Sequence, residues 1–226
     1  RSGSLELFSR PADGSGGDER LLAGAKDLLD LRADAWSADG TALLFTEVRA
    51  GKTSIEAAIA QAAIKRPSDV RELIQNDFNN DYAAVAPNGR WMAYHSNVSG
   101  RFEVYVERYP EGGNRQQVST AGGRLPVWSS DGRELFFGSA DSRQMIAAPV
   151  QFGATLVAGR PQILFPFPIL ANATGYRPYD VSPDGRFFII ISSSQAEATG
   201  NPVSNLINMT LVANWFEELK RLVPTK

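Results

Sequence analysis

Four residues recur at one fixed place in this chain. Arg32, Asp81, Arg124 and Arg177 each stand eight residues before a glycine, at 40, 89, 132 and 185. Arginine carries a planar fork of donors that matches a carboxylate or phosphate. Three such forks at one opening, with Asp81 neutralising one, would attract an anion. Tyr82, Tyr176 and Tyr179 stand close by in sequence and offer stacking faces and hydroxyl donors. The ligand-binding set expected from spacing is therefore Arg32, Asp81, Arg124, Arg177, Tyr82 and Tyr179. The plainer reading of the same arginines is solvated loop residues paired with Asp34, Asp81 or Asp180.

Other chemistry is thin. His95 is the only histidine. A Ser-His-Asp triad would have to use it, yet no Gly-x-Ser-x-Gly elbow exists to supply an α/β-hydrolase nucleophile. It reads as a strand-end histidine bonded to its own neighbourhood. Gly51-Lys52-Thr53 has the ending of a phosphate loop, but Thr46 stands where that loop needs its first glycine. Asp77-Phe78-Asn79-Asn80-Asp81 is the one dense acidic and amide stretch. Calcium needs several oxygen ligands from one short segment, so this stretch is its one candidate, and the favoured reading there is a plain loop. With no cysteine and one histidine, thiol nucleophiles, iron–sulfur clusters and histidine-rich metal sites are excluded. No cofactor and no metal is expected.

The elements that would position these residues are set by a repeat. Ala35-Trp36-Ser37-Ala38-Asp39-Gly40-Thr41 returns as Ala84-Val85-Ala86-Pro87-Asn88-Gly89-Arg90. It returns again as Val127-Trp128-Ser129-Ser130-Asp131-Gly132-Arg133 and as Asp180-Val181-Ser182-Pro183-Asp184-Gly185-Arg186. Asp-Gly and Asn-Gly between apolar runs are hairpin turns. Glycine spacings of 49, 43 and 53 suit propeller blades. Each turn leads into an apolar run, such as Leu43-Leu44-Phe45 or Leu135-Phe136-Phe137, of the kind buried on both faces. Third strands follow at 102–109 and 144–150, and more polar edge strands at 71–74, 116–119 and 161–165. The segment 55–64 has helix-forming composition, but its place in the repeat demands a third strand, and a strand is expected there. Trp36 and Trp128 share one repeat position and are expected between neighbouring blades.

Length and composition agree with this reading. A chain of 226 residues fits a single all-β propeller, and 20 glycines with 13 prolines suit a turn-rich β protein. A net charge of −2 argues against a dedicated nucleic-acid binder, and 43% hydrophobic residues argue against disorder. No apolar run reaches the length of a membrane-spanning helix. The expected organisation is all-β. Residues 1–28 form a partial outer blade that could close the ring, and four-stranded antiparallel blades follow at about 29–75, 80–120, 123–166 and 176–213. A short amphipathic helix and tail fill 214–226. Arg1-Ser2-Gly3-Ser4 reads as a cloning scar or as the cut edge of a longer protein.

The elements at 128–137 and 181–187 resemble the TolB-like β-propeller repeat. The stretch from Tyr82 to Val150 resembles the tandem blades at the C-terminal end of some bacterial membrane-anchored serine/threonine kinases. Asn214-Trp215-Phe216-Glu217-Glu218-Leu219-Lys220 resembles their closing segment. The resemblance covers nearly the whole chain and rests on turn and core positions, so it speaks to fold more than function. It implies a six- or seven-bladed ring, a non-catalytic binding or sensing role and an extracytoplasmic, periplasmic location. The expected partner is a protein, a peptide or a small anionic molecule at the channel mouth, with no nucleic acid and no membrane contact by this segment. The alternative is the substrate-gating propeller of a prolyl-oligopeptidase-like serine peptidase. A sugar lyase or hydrolase would need clustered acids, bases or metal ligands, and none is evident.

Overall fold

The computed structural model describes residues 5–51, 55–166, 177–185, 187–193 and 207–213. All regular structure among them is strand. The chain divides into two compact units, 1–126 and 127–226. The C-terminal helix expected at 214–222, Tyr176 and Lys52-Thr53 lie outside the described residues.

In the first unit, β1 (Glu6–Ser9) pairs with β2 (Glu19–Ala23). A four-stranded sheet follows, β3 (Leu28–Trp36), β4 (Ala42–Ala50), β5 (Ile55–Ala63) and β6 (Arg66–Ile74), hydrogen-bonded in that order. A second sheet holds β7 (Asn80–Val85), β8 (Trp91–Ser96), β9 (Glu103–Arg108) and the short β10 (Gln116–Gln117), again in sequence order. The two sheets bury one shared cluster. Leu44, Ile59 and Ile74 of the first meet Ala83, Met92, Tyr94 and Tyr105 of the second. Each fully buried large apolar side chain contributes about 1.5–3 kcal/mol. The opposite face of the first sheet, at Phe45, Ala60 and Ala62, meets Leu7 and Leu22 of the β1–β2 pair.

The third sheet begins with β11 (Arg124–Trp128), within which the unit boundary falls. It continues through β12 (Glu134–Gly138) and β13 (Gln144–Phe152). Strand β13 is long enough to pair twice, with β14 (Leu156–Ala158) at its end and β15 (Gln162–Pro166) at its start. The expected single edge strand is thus split into two. The fourth sheet has three described strands, β16 (Tyr179–Val181), β17 (Phe187–Ser193) and β18 (Ile207–Ala213).

The repeat turns are built alike. Gly40, Gly89, Gly132 and Gly185 have φ of 67°, 68°, 70° and 68°, a left-handed conformation that glycine adopts without a Cβ clash. Each glycine N–H donates to the carbonyl three residues back. The Asp or Asn before the glycine accepts the N–H two residues on, at 3.0 Å for Thr41, Arg90 and Arg133.

Strand β5 shows tertiary context overriding propensity. It pairs with β4 along its whole length and with β6 on its other edge. Ala57, Ala60 and Ala62 are buried there, and Ile59 has no exposed surface. A helix would forfeit both ladders and this burial for an advantage of a few tenths of a kcal/mol per alanine.

One expected core position fails. Trp128 is buried against Phe152, with ring centroids 5.7 Å apart. Trp36, at the same repeat position, is 53% exposed. The two positions also differ in their third strands. β13 runs three residues past Pro149, which pairs with the start of β12. The corresponding β5 ends at Ala63, opposite the start of β4. No counterpart of Phe152 is carried to Trp36.

Candidate functional site

The described site lies in the first unit, at the middle of β3 and the starts of β7 and β11. At each place the backbone departs from a regular strand. The β3–β4 register skips between Ala33 and Ala35, and the β7–β8 register between Asp81 and Ala84. Tyr82 and Leu125, each following one of the recurring residues, have φ of 57° and 60°. Such angles are strained for bulky side chains and are held by specific bonds. The Tyr82 N–H donates to Asp81 Oδ1 at 2.9 Å, and the Leu125 N–H donates to His95 Nδ1 at 3.1 Å. Bulges of this kind re-aim side chains.

The re-aimed groups meet. Arg32 Nε donates to Asp30 Oδ2 at 2.6 Å, and its Nη1 donates to Asp81 Oδ2 at 2.5 Å. Its guanidinium also lies 5.6 Å from the Tyr82 ring centre. Tyr82 tilts against His95 at 5.1 Å, and His95 meets Phe102 edge-on at 4.9 Å. The guanidinium of Arg124 sits 3.9 Å from the Phe102 ring centre. The result is a rail of arginine, tyrosine, histidine, phenylalanine and arginine.

The two arginines differ electrically. Burial draws Arg32 down, but Asp81 and Asp30 outweigh it and hold its pKa above the ordinary value. Burial lowers Arg124, and the more distant Tyr82 and Asp81 offset this only in part. Among the described residues no carboxylate forms an ion pair with Arg124. Asp81 is buried, and burial pushes its carboxyl up further than Arg32 and the Tyr82 N–H pull it down.

The loop before Arg124 is anchored by a buried carboxylate. Glu103 has no exposed surface. It accepts from the Ser119 hydroxyl, from the Gly122 N–H at 3.0 Å to each oxygen, and from Arg101 Nε at 2.7 Å. The Gly123 N–H donates to the Phe102 carbonyl at 3.0 Å.

Of the residues expected from spacing, the first unit brings Arg32, Asp81, Tyr82 and Arg124 together. Arg177 and Tyr179 lie in the second unit. Tyr179 is buried there, its hydroxyl donating to the Phe136 carbonyl at 3.4 Å, and burial pushes its phenol up. Its surroundings are those of a core residue. Arg177 is half-buried. Spacing also missed three members of the rail and its flank: Asp30, His95 and Phe102. The expectation of a locally bonded His95 is corrected, since its partner Leu125 is 30 residues away. The stretch 77–81 bonds inward: Asn80 Nδ2 donates to Asn76 Oδ1 at 2.8 Å, and Asn80 Oδ1 accepts from Ser96 at 2.8 Å.

No protein-family model matches the chain, and no curated protein matches it. Solved structures do. TolB from Acinetobacter baumannii superposes with a TM-score of 0.63 at 14% identity, over 92% of this chain and 46% of TolB. A Mycobacterium tuberculosis puromycin-hydrolyzing peptidase gives 0.60 at 20% identity, over 84% of this chain and 32% of the peptidase. A chain of the nidogen/laminin complex gives 0.57 at 12% identity, over 85% of this chain and 68% of its own. The chain thus spans about half the length of the TolB structure it matches. These likenesses establish the fold, a TolB-like β-propeller with antiparallel blades, and at such identities they establish the fold alone.

Proposed function

We propose that this chain is a non-catalytic binding propeller that takes a carboxylate of a protein or peptide partner at Arg124. The observation that carries the reading is the state of Arg124. It is a half-buried cation stacked on Phe102, with no ion pair among the described residues, while Arg32 is already held by two carboxylates. A bound carboxylate would restore the hydration that burial has removed, through a bidentate pair. The original expectation of three converging arginines narrows to this one, with Tyr82 and the Arg32–Asp81 pair as its fixed surroundings. The TolB likeness supports an extracytoplasmic setting, and the nidogen/laminin likeness supports a protein partner. The likeness to the peptidase keeps the gating-propeller reading as the alternative.

Calorimetry with short peptides tests the proposal, each peptide compared as free acid and as C-terminal amide. Charge-assisted bonds are worth about 1.5–3 kcal/mol, so Arg124→Ala should weaken the free acid roughly tenfold to a hundredfold. Arg124→Lys should recover only part, lacking the planar fork. Equal binding by wild type and Arg124→Ala refutes the site.

A further inference from the structure

His95 has a part in the Arg124 site that packing alone does not require. Its ring is buried between Tyr82 and Phe102. Its Nδ1 accepts the Leu125 N–H at 3.1 Å. A ring nitrogen accepts only while it carries no proton, so this bond requires the neutral imidazole with its proton on Nε2. Leu125 sits at φ 60°, a conformation unfavourable for a bulky side chain. The bond to His95 holds it there, and Arg124 is the residue directly before it.

A proton from water has one place to go on this ring. It adds to Nδ1, and the imidazolium then has two donors and no acceptor. Two donors would face each other where the bond now stands, so the bond must open. Leu125 is buried, so its N–H has no ready replacement from water. The cheaper course is for Leu125 to leave the left-handed region, which turns the backbone and swings Arg124 off Phe102. Charges of both signs face His95 from the elements packed around it. Asp81 pairs opposite it on β7, with Tyr82 next along. Val104 pairs opposite on β9, flanked by Glu103, which Arg101 holds. Arg32 of β3 and Arg124 of β11 stand at the two ends of the rail. Asp81 is the other group that acid could alter, since burial raises its carboxyl.

We infer that His95 makes the Arg124 site proton-sensitive: the neutral ring holds Arg124 on Phe102, ready for a carboxylate, and a proton on Nδ1 releases Leu125 and dismantles the site. The inference rests on the reading of Arg124 as the carboxylate site and adds its regulation. Binding is then strongest at neutral pH and is lost as the pH falls through the histidine range.

The test repeats the calorimetry with an N-acetylated free-acid peptide between about pH 7.5 and about pH 5. That span brackets the ordinary histidine value of about 6.5 and leaves the peptide carboxylate ionised. Wild type should lose about tenfold in affinity across it, the worth of one hydrogen bond. His95→Asn, whose Oδ1 stands where Nδ1 stood and takes no proton, should bind alike at both ends. His95→Phe keeps a ring but lacks the acceptor, so it should bind weakly throughout. Because His95 is the only histidine, ring NMR signals report on it alone. Without peptide, the protection factor of the Leu125 amide should fall with the same midpoint as His95 protonation. A Leu125 amide equally protected while His95 titrates overturns the inference, as does a ring that takes no proton across the span. A pH dependence that persists in His95→Asn also overturns it, assigning the effect to Asp81, and so does affinity that rises in acid. Equal binding by wild type and Arg124→Ala at about pH 7.5 refutes instead the Arg124 site itself, whatever Leu125 does.

Discussion

The ion pair between Arg32 and Asp81 offers a sharp test of what holds the site. Asp81 is buried, and the Arg32 side chain is 20% exposed. Removing one partner of such a pair strands the other and costs about 3–5 kcal/mol. Asp81→Leu leaves Arg32 with Asp30, whose side chain is 41% exposed, so the loss should fall near the lower end, about 3 kcal/mol. It also takes the acceptor from the Tyr82 N–H, worth about 1 kcal/mol. For a chain of this size about 2–4 °C of melting temperature goes with each kcal/mol, giving a fall of about 8–16 °C. Replacing both partners should behave differently. Burial raises the Asp81 carboxyl despite Arg32, whereas the pair holds Arg32 above its ordinary value, so attraction and desolvation roughly offset each other. Arg32→Met/Asp81→Leu should therefore lie within about 1 kcal/mol of wild type once the Tyr82 term is allowed for. Urea unfolding of the two single variants and the double closes the cycle. A double variant that loses as much as both singles together would show no coupling and refute the argument.

Two further outcomes follow from the turns and the core. Trp128→Ala should lose about 3–5 kcal/mol of stability, whereas the exposed Trp36→Ala should stay within about 0.5 kcal/mol; equal losses in thermal unfolding would contradict the difference in burial. The Arg133 N–H, aided by the Ser129 hydroxyl, holds the Asp131 carboxyl below its ordinary pKa against the upward push of burial. A carboxyl lowered on folding stabilises above its unfolded pKa and loses that contribution as pH falls through the folded value. Asp131→Asn, which copies Asn88 of the second sheet, should keep the turn but be less stable at neutral pH, and the gap should close below about pH 4. A gap that persists at low pH would be at odds with the ion as its source.

The sequence told most where chemistry is local. An Asp-Gly or Asn-Gly step needs only its own backbone to form a turn, so the four hairpins and the strands flanking them could be read directly. Even β5 was legible, because its place between two turns outweighed its alanines. What escaped depended on strand length and on bulges. Nothing near Trp36 says that β5 stops three residues short of where β13 stops. The Asp30 bond to Arg32 depends on a β3 whose register skips. The packing of His95 and Phe102 between two arginines required two left-handed residues, Tyr82 and Leu125, at which neither sequence position favours that conformation.

The loop around Arg124 is fastened on both sides. Gly122 and Gly123 are tied to Glu103 and to the Phe102 carbonyl, and Leu125 is tied to His95. The backbone of Arg124 is therefore fixed before any ligand arrives, and its guanidinium already rests on a ring. Ordering a long side chain on association ordinarily costs about 0.5–1.5 kcal/mol. Much of that cost is met here when the chain folds, so a partner would gain its contacts against a rigid target. Such a site favours fast, shape-selective encounter over a fit moulded by the ligand.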